Sequence, residues 1–222
     1  MAKVAKAIWS GFLDIFYPQK CILCGKLLDK QEEDLCNACR LQLPLHDGNC
    51  PSGMFVSQVF PLFFYEDKVR DSLLRYKFNG ARYYYRYYGT LLSTHIGAKS
   101  TEDYDGVTWM PVSRRRKWKR GYDQAYLIAK VVAKQQNLPL VSTLKKMRNN
   151  PAQSSTGSSE ARKANVMGVY LVKKGADIAG KRWLLIDDIW TTGATANEGG
   201  RMLLTGGAKA VDCGVVAATR ER

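Results

Sequence analysis

Two groups of residues in this chain have types and spacings suited to chemistry. In WLLIDDIWTTGAT, from Trp183 to Thr195, an apolar run gives way to adjacent carboxylates, Asp187 and Asp188, and then to threonines and a glycine. Thr191, Thr192, Gly193, Ala194 and Thr195 offer consecutive backbone N–H groups, hydroxyl donors and a residue that permits a close turn. Residues able to begin a helix follow at once, so a positive helix N-terminus adds to the amides and makes a cradle for a phosphate ester. The carboxylates would repel phosphate oxygens and must therefore face groups that donate. Neighbouring sugar hydroxyls do so, and the implied ligand is a sugar phosphate with a vicinal diol. A plain polar turn would account for Thr195 as a cap and Gly193 as a turn residue, but not for two acids directly after four apolar residues. The competing phosphate motifs G-x-x-x-x-G-K-[ST] and strand-linked G-x-G-x-x-G are absent.

The second group is Cys21-Ile-Leu-Cys24-Gly25 with Cys36-Asn-Ala-Cys39. Two C-x2-C pairs can face each other across a pair of tight turns and supply the four sulfurs of a tetrahedral zinc site. Four cysteine ligands leave no open position, so such a site is structural. Gly25 lets the backbone curl beneath the metal. Paired thiols at this spacing suit a reducing cytoplasm better than disulfides, and the expected location is cytoplasmic. His46 and Cys50 are candidate substitute ligands, although a solvated histidine and a stray thiol are the simpler reading. Cys213, within an apolar run, reads as a core residue.

Both groups need a scaffold. The chain has 222 residues, 45% of them hydrophobic, enough for one ordinary domain plus a small appendage. No apolar run is long enough for a membrane span. The opening AKVAKAIWSGFLDIFYP reads as an amphipathic packing helix rather than an export signal. The zinc module is expected over residues 1–50, LPLHDGNCPSG reads as a linker, and a second domain is expected over residues 54–222. In that domain strands are expected at SQVFPLFFY, GVTWMPV, VMGVYLV, RWLLI and AVDCGVVAA. Helices are expected at EDKVRDSLLRYKF, ARYYYRYYGTLLSTHI, YDQAYLIAKVVAKQQ and TANEGGRMLLTGG. This alternation predicts an α/β fold, a parallel sheet flanked by helices.

The formal net charge of +14 calls for an anionic partner. Much of it lies in SRRRKWKRG, read as a basic loop after the GVTWMPV strand: Ser113, Arg114, Arg115, Arg116, Lys117, Lys119, Arg120 and Gly121. Arg114 to Arg116 cannot all point into one crevice, so some are left for solvent or nucleic-acid phosphates. Tyr83, Tyr84, Tyr85, Tyr87 and Tyr88, interleaved with Arg82 and Arg86, could stack on bases of single-stranded DNA. At helical spacing they more simply pack against a sheet.

LLIDDIWTTGAT resembles the phosphoribosyl-pyrophosphate signature of the type I phosphoribosyltransferases. YKFNGARYYYRYYGTLL, MPVSRRRKWKRGYDQAYLIAK and AQSSTGSSEARKANVMGVY, with the cysteine pairs, are similar to segments of the ComF family over nearly the full length. The resemblance implies a type I phosphoribosyltransferase-like domain joined to a four-cysteine zinc module. It implies that Asp187 and Asp188 hold the ribose hydroxyls and that Thr191 to Thr195 wrap the 5-phosphate. Ser113, Arg114, Lys117, Arg120 and Gly121 would meet the pyrophosphate with Mg²⁺, and a helix N-terminus is expected just after Arg120 and Gly121. Arg148, Gln153, Arg162 and Asn165 would belong to a flexible loop over the site. The signature implies phosphoribosyl pyrophosphate as a ligand, and the family's association with DNA uptake in natural transformation implies single-stranded DNA and a DNA-uptake helicase or channel as partners. An active phosphoribosyltransferase of nucleotide metabolism, with an unidentified acceptor, is the alternative. Where the family often has a further cysteine pair, this chain has only Cys50.

Overall fold

The computed structural model describes residues 19–47, 53–147 and 168–220. Its strands are β1 (Val59–Phe64), β2 (Gly106–Trp109), β3 (Leu144–Lys146), β4 (Tyr170–Val172), β5 (Arg182–Trp190) and β6 (Ala210–Ala218). Its helices are α1 (Asn37–Leu41), α2 (Asp67–Phe78), α3 (Tyr84–Lys99), α4 (Arg114–Arg120), α5 (Gln124–Gln135) and α6 (Ala194–Thr205). None is long and apolar enough to cross a membrane.

The central sheet has the order β1-β6-β5-β2 and every pairing in it is parallel. Strands covered on both faces are largely apolar, and β1 (VFPLFF) and β6 (AVDCGVVAA) are buried along their whole lengths, with the one buried charge of β6, Asp212, paired to Arg182 at 2.9 Å. Core residues of α2, α3 and α5 cover one face of the sheet, and α6 with the β3–β4 hairpin covers the other. Both outer edges are closed. Residues 44–46 lie antiparallel along β1, with a Leu45–Phe63 bridge and His46 N donating to Leu62 O at 2.9 Å. Beyond β2, Val141 N donates to Val107 O at 2.9 Å. Such cover removes the free backbone groups that make a sheet edge sticky. An edge strand is also where Pro61, which lacks an N–H, can sit.

Four expectations change. The first half of the expected linker is stitched to β1, because edge amides and carbonyls of the strand were open to it. The basic segment is a helix, α4, not a loop. Ser113 caps it, accepting from Arg116 N at 3.3 Å, and Gly121 ends it in the left-handed region at φ +78°. Strand β5 runs past Ile186 to Trp190, because residues 187 to 190 keep their register with β6. The aspartates are therefore inside the strand rather than after it. Finally, the VMGVYLV strand shortens to β4 and pairs antiparallel with β3, which no sequence pattern announced. The N-terminal segment read as a packing helix lies outside the described residues, as do Cys50 and the segment carrying Arg148, Gln153, Arg162 and Asn165.

Candidate functional site

The cysteine cluster is built locally. Cys21 to Gly25 form a turn closed by Gly25 N donating to Cys21 O at 2.8 Å, with Gly25 at φ +77°. Cys36 sits at the N-cap of α1 and Cys39 lies in its first turn. A tetrahedral zinc about 2.3 Å from each sulfur sets the sulfurs about 3.8 Å apart. Cys24 Sγ and Cys36 Sγ are 3.7 Å apart, and all four Sγ atoms lie within 4.8 Å of one another. Burial pushes the Cys21 thiol up, but the surrounding amides of Cys24, Cys36 and Leu23 outweigh it and hold it at about 7. Amides aimed at sulfur favour the thiolate, the form that binds metal. The set fits a closed structural zinc site. His46 is not among these ligands and is not solvated. It is buried, 4.3 Å from the Phe64 ring.

The module is not a separate bead. Cys21, Ile22, Leu23, Leu35, Cys36 and Cys39 belong to the same apolar core as α2, α3 and α5. Arg75 Nη2 donates to Ile22 O at 3.0 Å and to Leu23 O at 2.7 Å, and Ser72 Oγ also donates to Ile22 O.

At the carboxyl end of β5 the two acids differ. Asp187 is 9% exposed. Burial, with the Asp188 charge adding to it, pushes its carboxyl up to about 8, although Asp188 N donates to its Oδ1 at 2.8 Å. Asp188 is half-buried and its Oδ2 pairs with Lys77 Nζ at 2.9 Å. Beyond them the chain bends at Thr191, exposed, and Thr192, half-buried, then enters α6 through Gly193 at φ +68°. No side chain caps α6, and its first main-chain bond runs from Asn197 N to Gly193 O at 2.8 Å. Ala194 and Thr195 are half-buried. The bend from Ile189 to Ala196 lines a small, partly open concavity. A side chain at 193 would collide with it, since a Cβ there would lie 2.3 Å from Trp190 Cζ2.

Cations surround this end of the strand. Lys146 Nζ, on β3, donates to Tyr170 Oη at 3.0 Å and lies 4.9 Å from the ring centre. Burial, with the Arg116 charge acting the same way, holds its ammonium at about 8, and Asp187 opposes them. On α4, Arg116 and Arg120 are half-buried and one turn apart, while Arg114, Arg115, Lys117, Trp118 and Lys119 are exposed. Arg120 donates to Gln124 Oε1 at 3.0 Å and lies 4.8 Å over the Phe78 ring, within the field of Asp188. The inward cations are thus Arg116 and Arg120, and Arg114 is on the outer face. Ser113 is buried as the cap of α4, and Gly121 is its exposed stop. The start of α5 is already occupied: Asp123 accepts from Tyr126 N at 3.2 Å and Val112 N at 3.3 Å. The Tyr126 amide is thus unavailable to an anion, and the inward charge of this region comes from Arg116 and Arg120. Like charges three and four apart within α4 (Arg114–Lys117, Arg116–Lys119, Lys117–Arg120, Arg115–Lys119 and Arg116–Arg120) cost roughly 0.2–0.5 kcal/mol each.

Two domain families match the chain: the double zinc ribbon domain over residues 12–53 and the phosphoribosyl transferase domain over residues 122–222. Competence protein ComFC of Streptococcus pneumoniae is 29% identical, across 86% of this chain and 96% of that protein. Competence protein ComFC of Bacillus subtilis is 24% identical across 84% and 89%, and competence protein F of Haemophilus influenzae is 24% identical across 85% and 92%. The chain belongs to the ComF family. In this ComF chain the zinc-ribbon match holds all four clustered cysteines, and the transferase match holds β5, the threonine bend and α6.

Lys77 and Lys146 carry no sequence signal of their own in this ComF chain. Each is one lysine among many, and only the packing of α2 and β3 brings them to the acids. The tyrosine-rich helix divides as helical spacing requires: Tyr84 and Tyr88 are buried, Tyr85 and Tyr87 half-buried, and Tyr83 is 53% exposed.

Proposed function

We propose that the crevice at the end of β5 binds phosphoribosyl pyrophosphate, and that the protein serves DNA uptake in natural transformation. The observation that carries the ligand reading is the juxtaposition, in one strand-to-helix turn, of an acid pair with an uncapped helix N-terminus beside an open concavity. The amides and hydroxyls of residues 191–195 take the 5-phosphate. Asp187 and Asp188 accept from the ribose hydroxyls, and Lys77 holds Asp188 in place for that role. Arg116, Arg120 and Lys146 oppose the charge of the diphosphate. Among the described residues the only cluster of three or more metal-ligating side chains is the cysteine set. Magnesium therefore arrives with the ligand, whose phosphate oxygens supply most of its coordination. The zinc module acts as a structural part of the same core. The competence names of the relatives support the uptake role.

Calorimetry with phosphoribosyl pyrophosphate and Mg²⁺ tests the ligand reading. Binding is expected, with a loss of about 100-fold or more when Asp187→Asn and Asp188→Asn are combined, since the charged acceptor at 188 goes and the side chain at 187 can no longer ionise against the ribose hydroxyls. Absence of binding in the unaltered chain would end it. Pyrophosphate release with a panel of bases tests turnover. The uptake role is read from transformation frequency in Bacillus subtilis with this chain in place of its own ComFC. No rescue by a well-expressed chain would count against it.

A further inference from the structure

The residues of α4 that turn away from the crevice take no part in the ligand reading above. Arg114, Arg115 and Trp118 share this outer face at spacings of four and three. Trp118 is 88% exposed, whereas an indole has a large apolar surface that is ordinarily put to use. No residue of α4 is buried, so the ring adds nothing to the packing among the described residues. Arg114, Arg115 and Lys119 enter none of the ion pairs among the described residues. An exposed indole flanked by unneutralised cations matches the chemistry of unpaired nucleotides, in which bases stack on the ring and phosphates meet the guanidinium groups.

We propose that the outer face of α4 docks single-stranded DNA, with Trp118 stacking on a base and Arg114 and Arg115 on neighbouring phosphates. The inference rests on the DNA-uptake reading above. Duplex DNA satisfies the arginines but keeps its bases stacked away from the indole. An acidic protein segment likewise leaves the ring unused. A membrane surface fits less well, because RRRKWKR has one apolar side chain and no apolar face to bury among lipids. The inner face, with Arg116 and Arg120, is left to the crevice, so one short helix has two separate anionic contacts.

Fluorescence anisotropy of labelled oligo-dT on the full chain tests this. Trp118→Ala is expected to weaken binding by about 5- to 100-fold, the effect of losing one stacked base, and Trp118→Phe to restore most of it. Combined Arg114→Ser and Arg115→Ser should weaken binding and reduce the slope of log affinity against log salt by about 1.4. All of these variants should bind phosphoribosyl pyrophosphate with Mg²⁺ as the unaltered chain does. Three results would overturn the proposal: oligo-dT binding that ignores Trp118, a duplex competitor as effective as the single strand, or Trp118-dependent binding to phosphatidylglycerol vesicles without oligo-dT binding. Oligo-dT binding that persists in the Asp187→Asn, Asp188→Asn chain supports it even if the crevice binds no ligand. A crevice that binds while oligo-dT does not would sink this inference alone.

Discussion

The four cysteines and the two aspartates are both tight groups of ionisable side chains, yet they are finished to different degrees. The cysteine site is complete in itself: its ligands come from residues 21–39, its sulfurs are already at zinc spacing, and backbone amides point at Cys21. The acid site is left electrically incomplete. Asp187 is buried with its carboxyl driven up to about 8, and the cations around it come from α2, α4 and β3. A site meant only to hold the fold satisfies itself with neighbours in sequence. On the reading proposed above, the acid site gathers its charged groups from distant segments because the ligand has several chemical ends.

Variants at the two sites should therefore behave differently. The largest effect is expected from Cys39→Ser or metal chelation. Either should release zinc, read by mass spectrometry, and lower stability by several kcal/mol because Ile22 and Leu23 are core residues. A melting curve indifferent to chelation would mean the module stands without metal. Next comes Gly193→Ala, which puts a Cβ 2.3 Å from Trp190 at a left-handed backbone position. A loss of about 3 kcal/mol in urea unfolding is expected, and an unchanged midpoint would show that the bend can relax.

The pH dependence separates the sites further. Between pH 4 and 8 folded Asp187 keeps a proton that the unfolded chain releases, so stability falls as pH rises through that window. From about 8 to 10.5 the unfolded chain holds a proton on Lys146 that the folded chain has lost, so stability rises again. Asp187→Asn should remove the first slope, a change on the order of 2 kcal/mol between pH 5 and pH 8. Parallel profiles for variant and parent would refute the burial argument. Smallest is Ser113→Ala, which deletes the cap of α4 and should cost about 1 kcal/mol. No change in helix content or midpoint would show that α4 is held by its inner face alone.

Legibility followed the same division. The C-x2-C pairs could be read because all four ligands lie on one short stretch, and the parallel sheet because largely apolar strands alternate with segments of helical spacing. The end of β5 was misjudged because two adjacent acids look like a turn, when one is buried and both remain in strand register. Helix α4 was hidden by its composition, since repelling cations argue against a helix. Only Ser113 and Gly121, at its two ends, gave the local signal. Lys77 and Lys146 could not be picked out at all, because nothing in a lysine's sequence neighbours tells which carboxylate, a hundred or more residues away in the case of Lys77, will lie beside it.

Helix α2 touches both places within two turns. Ser72 and Arg75 grip the carbonyls of the first cysteine turn, and Lys77 grips Asp188. Loosen the turn and the grip on the aspartate shifts with it, as a hand moves when the elbow slips. A cell short of zinc, or under oxidants that strip thiolates, would thereby disturb the Lys77–Asp188 pair from the far end of the helix.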